Sequence, residues 1–489
     1  MSIVARAYEP VAERGERLGP RERLELLCDP GSLHVVRSDV TSPRMGSKAR
    51  AGDGVVAGAG CIDGRHVFCY AQDQSYAGGS LGEAHANTVT RILRLAGQAA
   101  APVVSFIESG GARMQEGLAA LAGYARIFRE NVALSGRVPQ ISVITGTSAG
   151  GGSYSPALTD FVLMTEDASM FLTGPGVVRA VLGEDTSADQ LGGPRVHERN
   201  GVCHLVVADV ADAIVTVRKL LGYLPQNSSE RPDRHAVYES PTRRIAGIVP
   251  TESSRVYDVR HVLDAIADAD TVLEIAPRFA RSIVCAFARV EGWSVGVVAN
   301  QPRYVGGVID ADASQKAARF VRTCNSFGVP LVVLVDTPGF MPGRAQETAG
   351  IIRHGAQLLH AFAEATVPRI TVVLRKAYGG AYITMNSKDL GAHLTFAWPN
   401  AELGVMAARQ AVEIIHRRDI ASAPDPTEAG RELAATYADQ HLRATVAARE
   451  GVVDEIIDPS DTRARIAWGL ESLSGSRGDL GLSHPLLPL

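Results

Sequence analysis

The stretch Thr145–Tyr154, TGTSAGGGSY, gathers residue types that could do chemistry. Its G-T-S-A-G fits the G-x-S-x-G elbow of hydrolases, in which a serine hydroxyl attacks a carbonyl. On that reading Ser148 is the nucleophile and needs a positioned histidine and an acid behind it. Any of the 13 histidines would serve, and nothing in their spacing selects one. The glycines carry two other readings. Either they only make a tight turn, or they leave the backbone N–H groups of Gly150 and Gly151 unshielded where a strand gives way to a helix. Donors placed this way bind a carbonyl oxygen that becomes negative, as in a thioester enolate. One such donor is typically worth about 10²–10³ in rate.

The elements that must position these residues follow from the apolar runs. APVVSFIES (Ala101 to Ser109) and VPQISVIT (Val138 to Thr145) read as buried parallel strands, apolar on both faces and bounded by proline and glycine. MQEGLAALAGYARIFRENVALSG, between them, has apolar residues at helical spacing. The second half repeats the arrangement. VPLVVLVDTPG (Val329 to Gly339) and VPRITVVL (Val367 to Leu374) flank the amphipathic IIRHGAQLLHAFAEA. Pro102 to Pro139 is 37 residues and Pro330 to Pro368 is 38. Gly150-Gly151 follows Pro139 by 11 and 12 residues, and Gly379-Gly380 follows Pro368 by the same 11 and 12. Asp160 and Asp389 each lie 9 residues further on. Such a register predicts an internal duplication at an offset of about 229. LPQNSSERPDRHAVYESPTRR (Leu224 to Arg244) is the expected linker, giving domains over 1–228 and 229–489. At the offset Ser148 becomes Ala377, so the glycines are shared between copies and the hydroxyl is not. This favours the backbone reading.

Composition bounds the remaining possibilities. The chain has 489 residues, 46% hydrophobic and 21% charged, ample for two domain cores. A net charge of -4 gives no sign of a nucleic-acid partner. Six scattered cysteines with no C-x-x-C pair predict no zinc ribbon, no metal in this chain and a reducing setting. The charged start, MSIVARAYEPVAERGERLG, has no apolar run, and no stretch approaches the ~18 apolar residues of a membrane span. A cytoplasmic protein is expected. None of the five lysines (Lys48, Lys219, Lys316, Lys376, Lys388) follows a methionine, so the Met-Lys-Met site of biotin attachment is absent. The chain also lacks a G-x-x-x-x-G-K-[ST] loop. Chemistry needing ATP or bound biotin would come from another chain.

Taken together, SGGARMQEG (Ser109 to Gly117), YSPALTD (Tyr154 to Asp160), TGP (Thr173 to Pro175), DTPGFMPG (Asp336 to Gly343), EATVPRITVVLRKAYGGAY (Glu364 to Tyr382) and DPSDTR (Asp458 to Arg463) resemble one family. This is the carboxyltransferase β subunit of biotin-dependent acyl-CoA carboxylases, of the propionyl-CoA carboxylase β type. The likeness runs from about residue 15 to 470. It implies an α/β fold of two crotonase-like (ClpP/crotonase β/α spiral) domains, one per copy. It further implies a homohexamer, each site lying between the N-terminal domain of one protomer and the C-terminal domain of another. The implied partners are a biotin carboxylase and a biotin carboxyl carrier chain, with a coenzyme A thioester as substrate.

By the same resemblance Gly150-Gly151 and Gly380-Ala381 supply two oxyanion sites, one for the thioester oxygen and one for the ureido oxygen of carboxybiotin. Which serves which ligand stays open. The family's reaction needs no protein base: carboxybiotin releases CO₂, the freed biotin nitrogen takes the α-proton, and the enolate attacks CO₂. Gly110, Gly111 and Ala112 would line the CoA side, unless the glycines only pack a helix. Tyr154 would line the biotin channel, unless it fills the core. Arg113 reads equally as an anion ligand at a helix start or as a solvated surface residue.

Ser148 and Gly152-Ser153 depart from the family pattern. So does Ile383, where propionyl-type enzymes commonly have aspartate at the acyl pocket; the alternative for Ile383 is core packing. Ala407-Ala408-Arg409-Gln410 replaces a G-A-Q-G-like run near a subunit-facing helix start. The favoured function is carboxyl transfer from carboxybiotin to a short-chain acyl-CoA. Two alternatives accompany it: a biotin-independent decarboxylase of a malonyl-type thioester, and a non-catalytic subunit shaping a hexamer around an active paralogue.

Overall fold

The computed structural model describes residues 17–236, 245, 247–475 and 486. The first sixteen residues and the 237–244 part of the expected linker lie outside the described residues. Two compact units divide between Gly222 and Tyr223.

In the first unit the chain enters through α1 (Pro20–Leu27) and builds β1 (His34–Val36), β2 (Val55–Ile62) and β3 (Arg65–Gln72). Then α2 (Glu83–Ala99), β4 (Val103–Ser109), α3 (Leu118–Leu134), β5 (Gln140–Ala149) and the short α4 (Gly151–Ala157) follow. The sheet is completed by β6 (Phe161–Thr165), β7 (Ser169–Phe171) and β8 (Leu205–Val207). Its order is β1-β2-β3-β4-β5-β6-β8, with β7 on β5. Pairing is antiparallel up to β3 and parallel from there on. Helix α2 earns its amphipathic face from Val89, Ile92, Leu93 and Ala96, which pack with Val103, Ile107, Ile144 and Met164 of the strands and Ile127 of α3. All seven residues of β4 are buried, as a central parallel strand requires.

The second unit retraces this path. Its strands are β9 (Leu273–Ile275), β10 (Ile283–Val290), β11 (Trp293–Asn300), β12 (Leu331–Thr337), β13 (Arg369–Tyr378), β14 (Leu394–Ala397), β15 (Glu402–Gly404) and β16 (Glu455–Ile456). Their order, β9-β10-β11-β12-β13-β14-β16 with β15 on β13, reproduces the first sheet strand for strand. The helices used below are α5 (Ala311–Ser326), α6 (Ile351–Glu364), α7 (Gly379–Thr384) and α8 (Ala408–Ile415). Val332, Leu334, Ile370, Val372 and Phe396 form the sheet side of its core.

The duplication extends to detail that the strand runs do not reveal. Leu81 bridges Ala112 and, 228 residues later, Ile309 bridges Phe340. Tyr76-Ala77-Gly78-Gly79 and Tyr304-Val305-Gly306-Gly307 make the same tight turn, with Gly78 at φ 64° and Gly306 at φ 71°. A Cβ on Gly79 would lie 2.2 Å from the Glu108 carbonyl oxygen, and one on Gly307 2.5 Å from that of Asp336. Glycine is required there by close approach.

The aspartate register does not survive. Ile141 pairs with Phe161, but Ile370 pairs with Leu394, so the connection in the second copy is four residues longer. The counterpart of Asp160 is therefore His393, not the exposed Asp389. Asp160 accepts the Gln140 N–H at 2.7 Å, and His393 accepts the Arg369 N–H through Nδ1 at 3.2 Å.

Candidate active site

In each unit a central parallel strand is followed by a glycine and turns directly into a short helix. Strand β5 runs to Ala149, Gly150 turns with φ 57° and ψ −127°, and Gly151 begins α4. An L-side chain at Gly150 would be strained. Its own N–H is already engaged, donating to the Phe171 carbonyl of β7 at 3.0 Å. The pair Gly150-Gly151 therefore divides its work: Gly150 sets the turn, and Gly151 follows with its N–H in the first helical turn, where it has no intrahelical acceptor. Gly151 must lack a side chain, because a Cβ there would sit 2.8 Å from the Tyr124 ring.

Tyr124 ties this turn to the neighbouring loop. Its hydroxyl lies 3.0 Å from Ser109 Oγ, which accepts the Gly111 N–H at 3.2 Å. Burial pushes the Tyr124 phenol up to about 12, so it stays a neutral hydrogen-bonding group. Gly110 donates to the Gly78 carbonyl at 3.0 Å and Gly111 accepts from Leu81 at 2.8 Å. Gly111, at φ 92°, comes within Cβ contact distance of the Ala149 carbonyl. Ala112, partly buried, packs against the core. The Gly110-Gly111 loop thus lies against the end of β5, at Ala149, that leads into Gly150 and Gly151. Tyr154, 51% exposed, stands beside it, edge-on to Phe128 at 6.1 Å; it does not fill the core.

Ser148 and Arg113 are settled by burial. Ser148 is 0% exposed, and its Oγ has no hydrogen-bond partner among the described residues, so no histidine activates it. Ser148→Ala is expected to retain activity within about tenfold. A loss above ~10³-fold, or labelling of Ser148 by a serine-directed probe, would restore the nucleophile. Arg113 is neither a surface residue nor an anion ligand. Its fully buried guanidinium pairs with Asp53 at 2.6 Å and Glu116 at 2.9 Å, over the Tyr76 ring. The neighbouring His85 is held at about 3 by burial and by Arg113, and is therefore neutral.

The second unit has the counterpart turn. Gly379 turns with φ 60°, and Gly380 and Ala381 occupy the first turn of α7. The Gly380 carbonyl accepts from Thr384 Oγ1 at 2.8 Å, and Ala381 is fully buried. A Cβ on Gly380 would meet only the Phe340 ring, at 3.8 Å. Phe340, within the DTPGFMPG run, also covers Gly355 of α6 and walls this turn. Ile383 is 50% exposed, so it does not fill the core. It is the positional counterpart of Tyr154, 229 residues on. Arg409 and Gln410 both face solvent on the first turn of α8, Arg409 pairing with Glu413 at 3.1 Å.

Among the described residues no helix is long and apolar enough to cross a membrane, and no group of three or more His, Cys, Asp or Glu could hold a metal. With this geometry in hand, the likeness to known proteins is specific. The chain is 47% identical over 467 residues to the methylmalonyl-CoA carboxyltransferase 12S subunit of Propionibacterium freudenreichii subsp. shermanii, covering 94% of this chain and 88% of that one. It is 45% identical over 466 residues to the propionyl-CoA carboxylase beta chain of Roseobacter denitrificans, covering 94% and 91%. A crystal structure of the transcarboxylase 12S hexamer with methylmalonyl-coenzyme A and methylmalonic acid bound matches with a TM-score of 0.92 at 46% identity, covering 96% of this chain and 92% of that one. The carboxyl transferase domain model matches residues 10–477, almost the whole duplicated fold, and the chain belongs to that family of crotonase-like carboxyltransferases.

Proposed function

We propose that this chain moves a carboxyl group from carboxybiotin, held on a separate carrier chain, to the α-carbon of a short-chain acyl-CoA. One observation carries the reading: both units present the same strand–glycine–helix turn with open backbone donors. Gly151, with Gly150 setting its turn, forms one oxyanion site; Gly380 and Ala381 form the other. Carboxybiotin supplies CO₂ and, once decarboxylated, a basic nitrogen. The chain's own part is to hold the thioester oxygen and the ureido oxygen as charge develops on them. Glycine at Gly151 and Gly380 fits this, because no side chain crowds the donor. Gly110, Gly111 and Ala112 line the CoA side, Tyr154 the biotin channel and Ile383 the acyl pocket.

The working assembly on this reading is a cytoplasmic homohexamer supplied by a biotin carboxylase and a biotin carboxyl carrier, with residues 1–228 and 229–489 as its two domains. What supports the assembly is the hexamer of the transcarboxylase 12S structure. The test is carboxyl movement in the absence of ATP. With methylmalonyl-CoA alone the purified chain should release little CO₂, and with added biotinylated carrier it should transfer the carboxyl group. Brisk CO₂ release with no carrier would favour the decarboxylase.

Ile383→Asp is expected to change the ratio of kcat/KM among acetyl-, propionyl- and butyryl-CoA by about tenfold, since a methylene in an apolar pocket is worth ~1–3 kcal/mol. If all three rates fall together, Ile383 lies outside the acyl pocket.

A further inference from the structure

Both copies break their sheet register at one point. Between β4 and β5 the pairs Ile107–Ile144 and Ser109–Ser148 leave three residues, Thr145 to Thr147, opposite the single Glu108. Between β12 and β13 the pairs Val335–Val373 and Thr337–Ala377 leave Leu374 to Lys376 opposite the single Asp336. Each bulge ends three residues before the glycine that turns the strand, Gly150 or Gly379. A bulge removes ladder hydrogen bonds and re-aims the strand beyond it, so something must satisfy and fix it.

A buried carboxylate does so in each case. Glu108, 2% exposed, accepts from Thr145 Oγ1 at 3.0 Å, Arg17 Nη2 at 2.8 Å and Arg23 Nη2 at 3.2 Å. Gly146 leaves the room: a Cβ there would lie 2.3 Å from Arg17 Nη2 and 3.3 Å from Glu108 Oε1. Asp336, 0% exposed, accepts the Lys376 backbone N–H at 3.3 Å and Arg375 Nε at 3.0 Å. Arg375 in turn donates to the carbonyls of Glu252 and Arg255 at 2.9 and 2.8 Å. Behind each acid the preceding strand holds its N–H: Gln72 Oε1 takes that of Glu108 at 3.0 Å, and Asn300 Oδ1 that of Asp336 at 3.2 Å. The cations differ between copies: Arg17 and Arg23 from the region of α1 in the first, and Arg375 with Lys376, whose Nζ lies 3.8 Å from Asp336, from β13 itself in the second. The acid and its place do not, so the shared requirement is the bulge.

We infer that Glu108 and Asp336 are positioning residues, each fixing the bulge that aims its own copy's glycine donors at a ligand oxygen. The inference rests on the carboxyltransferase reading for its kinetic consequence and on geometry alone for its structural one.

The test uses the full-length chain with Glu108→Gln and Asp336→Asn, together with Thr145→Val, which removes the hydroxyl that donates to Glu108 and accepts from Arg23 at 2.8 Å and keeps every charge. Hydrogen–deuterium exchange is read on the peptides covering 147–155 and 377–385. Glu108→Gln should speed exchange in the first peptide only, Asp336→Asn in the second only, and Thr145→Val in the first more weakly. The kcat for carboxyl transfer should fall by about 10–100-fold in the two carboxamide variants with KM for acyl-CoA within about threefold, as small misplacements of a reacting geometry allow. Exchange that is unchanged, or that rises equally in both peptides, overturns the assignment. So does a local rise in exchange with undiminished kcat. A wild-type chain without transferase activity would sink the functional reading instead, and the exchange pattern would still decide this one.

Discussion

Gly380→Pro is expected to lower carboxyl transfer by about 10²–10³-fold, the usual cost of deleting one oxyanion donor, while Gly380→Ala stays within about tenfold of wild type. The two variants differ in the one group at issue. Proline removes the N–H and is tolerated in the first turn of a helix, where that N–H has no intrahelical acceptor. Alanine keeps the N–H. A Cβ, common to both variants, has room at this position, its nearest atom being on the Phe340 ring at 3.8 Å. Gly380 is also absent from the positive-φ positions, so neither residue forces the backbone. The measurement is kcat for each variant beside its melting temperature. Equal rates in the two variants, with both folded, would show that the backbone of Gly380 is not the reagent.

The second large effect is an all-or-none dependence on other chains. The purified chain with ATP, bicarbonate, free biotin and propionyl-CoA is expected to form no carboxylated product above background. Adding a biotin carboxylase and a biotinylated carrier should restore turnover. The reason lies in the composition: no lysine sits in a Met-Lys-Met site and no phosphate-binding glycine loop of the G-x-x-x-x-G-K-[ST] kind is present. Radiolabelled bicarbonate incorporation measures it directly. ATP-dependent incorporation by the single chain would refute the division of labour.

How much of this was written in the sequence depends on how local each cause is. The duplication was legible because proline and glycine punctuate the strands at fixed spacing, and both bend the chain by their own covalent structure. The glycine turns were legible for the same reason. The division of labour between Gly150 and Gly151 was not, because it depends on Phe171 in a three-residue strand too short to show a pattern. Arg113 looked like a surface or anion-binding residue because its partner Asp53 lies 60 residues away. The Asp160–Asp389 match was a coincidence of numbering, exposed once strand pairing placed His393 at the Asp160 position. Glu108 and Asp336 could have been found at an offset of 228, as acids that follow an apolar run and precede a glycine loop. Their partners on the next strand become visible only with the register.

The equivalence of Tyr154 and Ile383 has a consequence for how such an enzyme diversifies. One position of the repeat exists twice, each half-exposed and each three residues past a glycine of the turn, Gly151 or Gly380. A change at either one costs little packing, because neither side chain fills the core. On the proposed reading, selection or an engineer can therefore retune recognition of one ligand in one copy while the other copy keeps its task, and the paired scaffold behaves as two independently addressable dials on a single gene.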